Sequence, residues 1–147
     1  MKKIYIILLL LILSAFTTYY LLSRNIPNIN VNILDQKYEE ILNDMDLSTA
    51  DCCDKILALS DTWKEKATTT YDELLKKLDK NGKKSLSDYW KSKKETEQAK
   101  MELYRILVEH KYEGGTIGAI ELAKFEYQSM KQKALDMQDL LQYYQED

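Results

Sequence analysis

A run of 19 uncharged residues near the N-terminus is the strongest constraint on this chain. Residues 4–22 carry no charged side chain and directly follow Lys2 and Lys3. At about 1.5 Å per residue, a helix of this length matches the hydrocarbon core of a bilayer. Since Arg24 is the only basic residue that closely follows the run, the positive-inside rule predicts a cytoplasmic N-terminus and an extracytoplasmic remainder. We therefore expect a single-pass protein of the cell membrane.

Residues 1–22 are predicted to be either a retained transmembrane anchor or a signal. Leu13-Ser14-Ala15 is a poor cleavage site, because a large Leu stands where a small residue is preferred. Cleavage at this site is the alternative to a retained anchor. A lipid anchor is excluded, since Phe16 stands where the lipidated cysteine would have to be.

The composition indicates one compact, mostly helical domain and no enzyme. The chain is 45% hydrophobic and 31% charged, with four Gly and one Pro. A net charge of -3 without a basic, aromatic-rich block argues against nucleic acid as a partner. One histidine, two adjacent cysteines and no Gly-rich phosphate loop give no basis for a metal site, a cofactor or catalytic residues.

Cys52 and Cys53 are neighbours and therefore do not form a stabilising framework. A disulfide between adjacent residues is strained and joins no distant segments. Two interpretations remain: small buried apolar side chains, or pairing between molecules through the thiol that faces outward. Because the two cysteines are adjacent, we expect a monomeric bundle over residues 48–144 without a structural disulfide.

Residues 23–47 are predicted to form a tether and a short helix. Residues 23–33 alternate Asn with apolar residues and include the only Pro, which favours an extended spacer, or alternatively a short edge strand. A short amphipathic helix then follows, with an apolar face of Leu34, Tyr38, Ile41, Leu42 and Met45.

Residues 48–147 are predicted to form the helical bundle domain. Ser48 is placed to cap a long helix, and the pair Asn81-Gly82 is placed to end it; Ser85 and Thr116 would cap the next two helices. Apolar stripes along the three helices are Cys52, Ile56, Leu59, Trp63, Ala67, Thr70, Tyr71, Leu74 and Leu78, then Leu86, Trp90, Met101, Tyr104, Leu107 and Val108, then Ile120, Ala123, Tyr127, Met130, Ala134, Met137, Leu141 and Tyr144. The fold class is all-α, an antiparallel bundle of three long helices plus the short N-terminal helix.

The centre of the third helix departs from this pattern. Residues 91–100 contain Ala99 as their one apolar residue over nearly three turns. One interpretation is a solvated face whose lysine stems cover neighbouring apolar surface. The other is a polar seam that binds a partner or forms ion pairs across the bundle.

Several segments resemble the LprI-type lysozyme inhibitor family of exported bacterial proteins. These are Tyr71-Asp72-Glu73-Leu74-Leu75-Lys76-Lys77-Leu78, Trp90, and Gly114-Gly115-Thr116-Ile117 with Glu121 and Ala123. The resemblance runs over roughly residues 50–142 and implies a helical domain that inhibits lysozyme. Three positions depart from the family: Lys94 replaces its usual Arg, and Gln98 and Phe125 replace two cysteines. The family's disulfide between the last two helices is therefore absent here.

Together these features predict a membrane-anchored, extracytoplasmic binding module. Without Lys2 and Lys3 the net charge of -3 becomes -5, which suits a basic partner such as a lysozyme-type muramidase. The alternative is a structural or scaffolding protein of the bacterial envelope. The predicted partner-binding residues are Asp79, Asp88, Tyr89 and Trp90, which combine acidic groups with aromatic rings. The competing interpretation places Trp90 in the core.

Overall fold

The computed structural model describes residues 29–113 and 115–145, and every regular element in these residues is an α-helix. The four helices are α1 (Ile29–Asn43), α2 (Thr49–Lys77), α3 (Lys80–Tyr112) and α4 (Thr116–Gln145). The predicted all-α class is confirmed for this part of the chain.

The predicted membrane segment, residues 4–22, lies outside the described residues, as does the first part of the predicted tether. Among the helices that the structure describes, none combines the length and the apolar character needed to cross a bilayer.

Helix α1 begins earlier than the sequence predicts. The spacer was expected to remain extended through residue 33, but α1 already begins at Ile29. Asn lowers helix propensity by less than about 0.7 kcal/mol relative to Ala, so burial of Leu34 and Tyr38 on one helical face can outweigh it. The helix ends at Asn43, and Met45, predicted to face inward, is fully exposed beyond that end.

Helix α2 carries the predicted apolar stripe. Its buried residues are Cys52, Ile56, Ser60, Trp63, Ala67 and Leu74. Ser48 caps the helix as predicted, since its Oγ accepts a hydrogen bond from the Asp51 backbone N–H at 3.1 Å. Both cysteines are free thiols, Cys52 buried and Cys53 half-buried. Burial raises the pKa of the Cys53 thiol.

The turn between α2 and α3 is tighter than predicted. Asp79 is the N-cap of α3, and its Oδ1 accepts a hydrogen bond from the Gly82 backbone N–H at 2.7 Å. The Asn81-Gly82 pair therefore lies in the first turn of α3 instead of ending α2, and Ser85 lies inside the helix instead of capping it. The prediction was wrong because an aspartate at the N-cap satisfies the free N–H groups of the first turn, where a glycine is tolerated.

The turn between α3 and α4 uses a left-handed residue. Glu113, at the C-cap of α3, has φ 51°. Thr116 is the first residue of α4 and not a cap outside it. Gly118 lies where the helices approach closely, since a Cβ at this position would come within 3.1 Å of Val108 Cγ1.

The core lies mainly between α2 and α4, whereas α3 packs against α4 and touches α2 sparingly. Helix α4 buries Gly118, Ala123, Tyr127, Lys133, Ala134 and Met137, which include half of its predicted stripe. The Tyr127 ring stacks on Tyr38, with ring centroids 4.1 Å apart. Two predicted core positions are wrong: Leu107 is 56% and Tyr144 is 43% exposed.

Candidate functional site

The polar centre of α3 forms ion pairs with α4. Lys133 Nζ lies 2.7 Å from Glu97 Oε2, and these side chains are only 9% and 15% exposed. Lys93 pairs with Asp136 about one turn away. Lys93 and Glu97 therefore form the ion pairs across the bundle that one interpretation of residues 91–100 predicts, while the other eight residues of this segment are exposed, as the solvated-face interpretation predicts.

Trp90 lies inside this arrangement and not on the outer surface. Its ring stacks on Tyr71, with centroids 4.6 Å apart. The Lys133 ammonium lies 4.4 Å from the centroid of the Trp90 ring, in a cation–π contact. The half-buried indole therefore packs where α2, α3 and α4 meet, as the core interpretation of Trp90 predicts.

Asp136 and Lys93 stabilise each other's charged forms. Burial alone would raise the pKa of Asp136, but hydrogen bonds from Lys93 and Gln132 outweigh it and hold the pKa below the usual range. Gln132 Nε2 donates to Asp136 Oδ1 at 2.8 Å. The hydrogen bond to Asp136 in turn raises the pKa of Lys93.

A groove of about 410 Å³ opens between α3 and α4 beside these pairs. Its lining residues are Tyr89, Ser92, Lys93, Thr96, Glu97, Lys100, Phe125, Gln128, Ser129, Gln132 and Lys133. They offer hydroxyl, amide and charged groups and two aromatic rings, which suits binding. No group of three or more His, Cys, Asp or Glu side chains in the described residues is placed to hold a metal ion.

The four predicted site residues do not share one surface. Asp79 is occupied at the N-cap of α3, and Asp88 is exposed on the same helix. Trp90 follows Asp88 by two residues, so their side chains project about 200° apart around the helix. Tyr89, 37% exposed, is the one of the four that lines the groove.

A second feature, missed from the sequence, is an apolar face on the outer side of α3. Leu103, Ile106 and Leu107 are 59%, 51% and 56% exposed. With exposed Ala99 one turn earlier, they form what we call the α3 apolar face. The spacing of Ala99, Leu103 and Ile106 was the available signal, but the nearby stripe through Tyr104 and Val108 was taken as the single inward face.

Comparisons of the chain with models of protein families, with curated proteins and with solved structures found no match. The resemblance to the LprI-type family stays a prediction. At the departures from that family, Lys94 and Gln98 are exposed on α3. The Phe125 ring stacks on Tyr104 with centroids 4.1 Å apart, so an aromatic pair links α3 and α4 here.

Proposed function

We propose that this chain is a membrane-anchored, extracytoplasmic binding module. Residues 4–22 attach it to the membrane, and α2, α3 and α4 form an antiparallel bundle that docks a protein partner on the α3 apolar face. The observation that carries the proposal is an imbalance in α3. This helix spans 33 residues but buries only Leu86 and Val108, while it exposes three large apolar side chains.

The exposed residues lie together and not as scattered single positions. Leu103 and Ile106 are three residues apart and Leu103 and Leu107 four apart, so they are neighbours on one helical surface. Contiguous exposed apolar surface with a polar rim is typical of protein interaction sites, whereas isolated exposed leucines are ordinary. The geometry therefore supports docking of a protein more than binding of a small molecule.

A row of charged side chains borders the α3 apolar face. Arg105 lies between two glutamates, with Nη2 2.8 Å from Glu102 Oε1 and Nη1 2.7 Å from Glu109 Oε1. Because these side chains are exposed, the pairs contribute little to stability. The network nevertheless gives the apolar face a defined polar border, as the rims of interfaces have.

The proposal is tested by charging the face without disturbing the core. The double variant Leu103→Lys, Ile106→Lys should lose its protein partner in chemical cross-linking of the full chain in membranes, while the circular dichroism of the helices is retained. Gln98→Lys, exposed elsewhere on the same helix, is the matched control. If the double variant and the control cross-link to the same proteins in equal yield, the face is not the docking site.

A lysozyme-type muramidase is the candidate for a second partner, which contacts the acidic residues Asp79 and Asp88 and not the α3 apolar face. The extracytoplasmic part carries a net charge of -5 once Lys2 and Lys3 are left out, and complementary charge speeds association with a basic enzyme. The full chain should then inhibit muramidase activity at micromolar concentration in a salt-sensitive manner. If it does not inhibit but the face variants disrupt an envelope assembly, the alternative of a structural or scaffolding protein is the better assignment.

A further inference from the structure

The α3 apolar face is part of a longer seam with a heptad period. Exposed residues recur in steps of three and four along α3: Tyr89, Ser92, Thr96, Ala99, Leu103, Ile106 and His110. The first three also line the groove toward α4, so only the part from Ala99 onward faces away from the bundle. This spacing is that of the contact positions in a two-stranded coiled coil. The seam is separate from the inward side of α3, which carries Trp90, Glu97 and Val108.

Charges of opposite sign flank the seam in two rows. The row on one side is entirely acidic: Asp88, Glu95, Glu102 and Glu109, each seven residues after the last. On the other side Lys93 and Lys100 are seven residues apart and are followed at the same spacing by Leu107. Lys93 is held by Asp136, whereas Lys100 forms no ion pair with the residues that the structure describes.

The two rows discriminate between orientations of a helix laid on the seam. In a parallel pair of identical helices, the acidic row of one copy faces the lysine row of the other. Glu95 of one copy then lies beside Lys100 of the other, twice by symmetry. In an antiparallel pair the acidic row of one copy faces the acidic row of the other, and the lysine row faces the lysine row.

We propose that the partner docked on the α3 apolar face is a second copy of this chain, with the two α3 helices parallel and in register. This inference rests on the proposed function, since it names the partner of the same face, and it replaces the monomer that the sequence predicts with a dimer. Leu103 and Ile106 of each copy meet their counterparts across the twofold axis, and Leu107 closes the flank. Because Ser92 and Thr96 make the first half of the seam polar, the apolar contact is confined to residues 99–107.

A charge exchange tests the orientation in the full chain, extracted in mild detergent and analysed by sedimentation. Lys100→Glu places a carboxylate beside Glu95 of the other copy and should weaken the dimer severalfold, and Glu95→Lys, which places an ammonium group beside Lys100, should do the same. The double exchange Glu95→Lys, Lys100→Glu should restore it. A Lys100→Glu variant that dimerises as strongly as the unaltered chain would contradict the parallel arrangement, because that arrangement places position 100 of one copy beside Glu95 of the other.

Cysteine cross-linking tests the register and separates this inference from the proposed function. In a Cys52→Ala, Cys53→Ser background, Ile106→Cys should give a disulfide-linked dimer severalfold more readily than Gln98→Cys, which is exposed on α3 but lies outside the seam. If Ile106→Cys links to a different protein, the second copy is wrong and the docking face stands. If Ile106→Cys gives no disulfide-linked dimer, the second copy is wrong, and the docking face is then judged by the chemical cross-linking of the Leu103→Lys, Ile106→Lys variant.

Discussion

At the scale of single residues, Lys133 shows how this bundle accommodates a charge. The residue is only 8% exposed, and an ammonium group so placed is costly unless a carboxylate and further contacts compensate it. Glu97 provides the carboxylate at 2.7 Å, and the Trp90 ring provides the electron-rich face. The same three residues therefore join α3 to α4 and hold the tryptophan inward.

The two partners of this ion pair should respond differently to substitution. Glu97→Ala leaves the Lys133 charge in place without its carboxylate, and should lower the free energy of unfolding by about 2 kcal/mol. Lys133→Met leaves the Glu97 carboxylate without its partner, but the Glu97 side chain is 15% exposed against 9% for Lys133 and regains water more easily, while methionine keeps an unbranched stem against Trp90. The loss should therefore be smaller, about 1 kcal/mol. Urea unfolding measures both. A larger loss for Lys133→Met than for Glu97→Ala would contradict this account of the pair.

Asp136 should contribute a pH-dependent part of the stability. Its pKa is lowered in the folded chain, net of burial, by hydrogen bonds from Lys93 and Gln132. The contribution is therefore present above the unfolded value of about 3.9 and is lost as the pH falls through the lowered folded value. Asp136→Asn should be less stable than the unaltered chain at pH near 7, and the difference should shrink in acid.

Urea midpoints at neutral and acidic pH measure the effect of Asp136→Asn. The matched control is Asp88→Asn, which makes the same chemical change at an exposed position. An equal pH dependence for the two variants would show that the pair with Lys93 contributes nothing.

At the scale of elements, Asp79 is in the first place the N-cap of α3 and only in the second place a candidate for a binding surface. Its carboxylate accepts the Gly82 N–H at 2.7 Å. Asp79→Ala should therefore destabilise the protein by about 1 kcal/mol, whereas Asp79→Asn keeps the cap and should cost much less. Thermal unfolding followed by circular dichroism distinguishes them, and equal losses would contradict the capping role.

This cap also changes how the predicted muramidase contact is tested. Asp79→Lys would remove a cap together with a charge, so a loss of binding could come from a frayed helix. Asp79→Asn with Asp88→Asn removes two charges and keeps the hydrogen bond. If these acids steer a basic enzyme, that double variant should associate more slowly and with a weaker salt dependence.

The sequence predicted those elements in which local and tertiary preferences agree. The stripe from Cys52 to Leu74 and the stripe from Ala123 to Met137 repeat the helical period without interruption, and more than half of the residues in each are buried. The start of α1 and the turn at Asn81-Gly82 were missed because several residue types there favour turns, and burial or capping decides the outcome.

The candidate site was harder to predict, since it depends on pairing between helices. Residues 91–100 signalled an unusual segment, but their partners Lys133 and Asp136 lie on α4, and a single stripe does not give the register between two helices. Tyr89 was predicted and lines the groove. The exposure of Leu103 and Leu107 was missed because it depends on how far α3 lies from α2, a property of the assembled bundle.

At the scale of the whole molecule, the three long helices contribute unequal numbers of buried residues to the core. Six residues are buried in each of α2 and α4, but two in α3. The centre of α3 is held to α4 by ion pairs and by the Tyr104–Phe125 stack. Regions with little buried apolar surface open at a lower free energy than the global unfolding of a domain.

This unequal packing predicts that α3 opens first. In native-state hydrogen exchange, the backbone amides of the central turns of α3 should exchange faster than those of α2 and α4, which should be released together by global unfolding. A second copy on the seam would protect the same turns. The measurement should therefore be made on the Lys100→Glu variant at low concentration, where the weakened dimer dissociates. The amides at both ends of α3, near Leu86 and Val108, serve as internal references, since these two side chains are buried. Equal protection along α2, α3 and α4 would mean that the ion pairs bind α3 as firmly as apolar packing binds the other two helices.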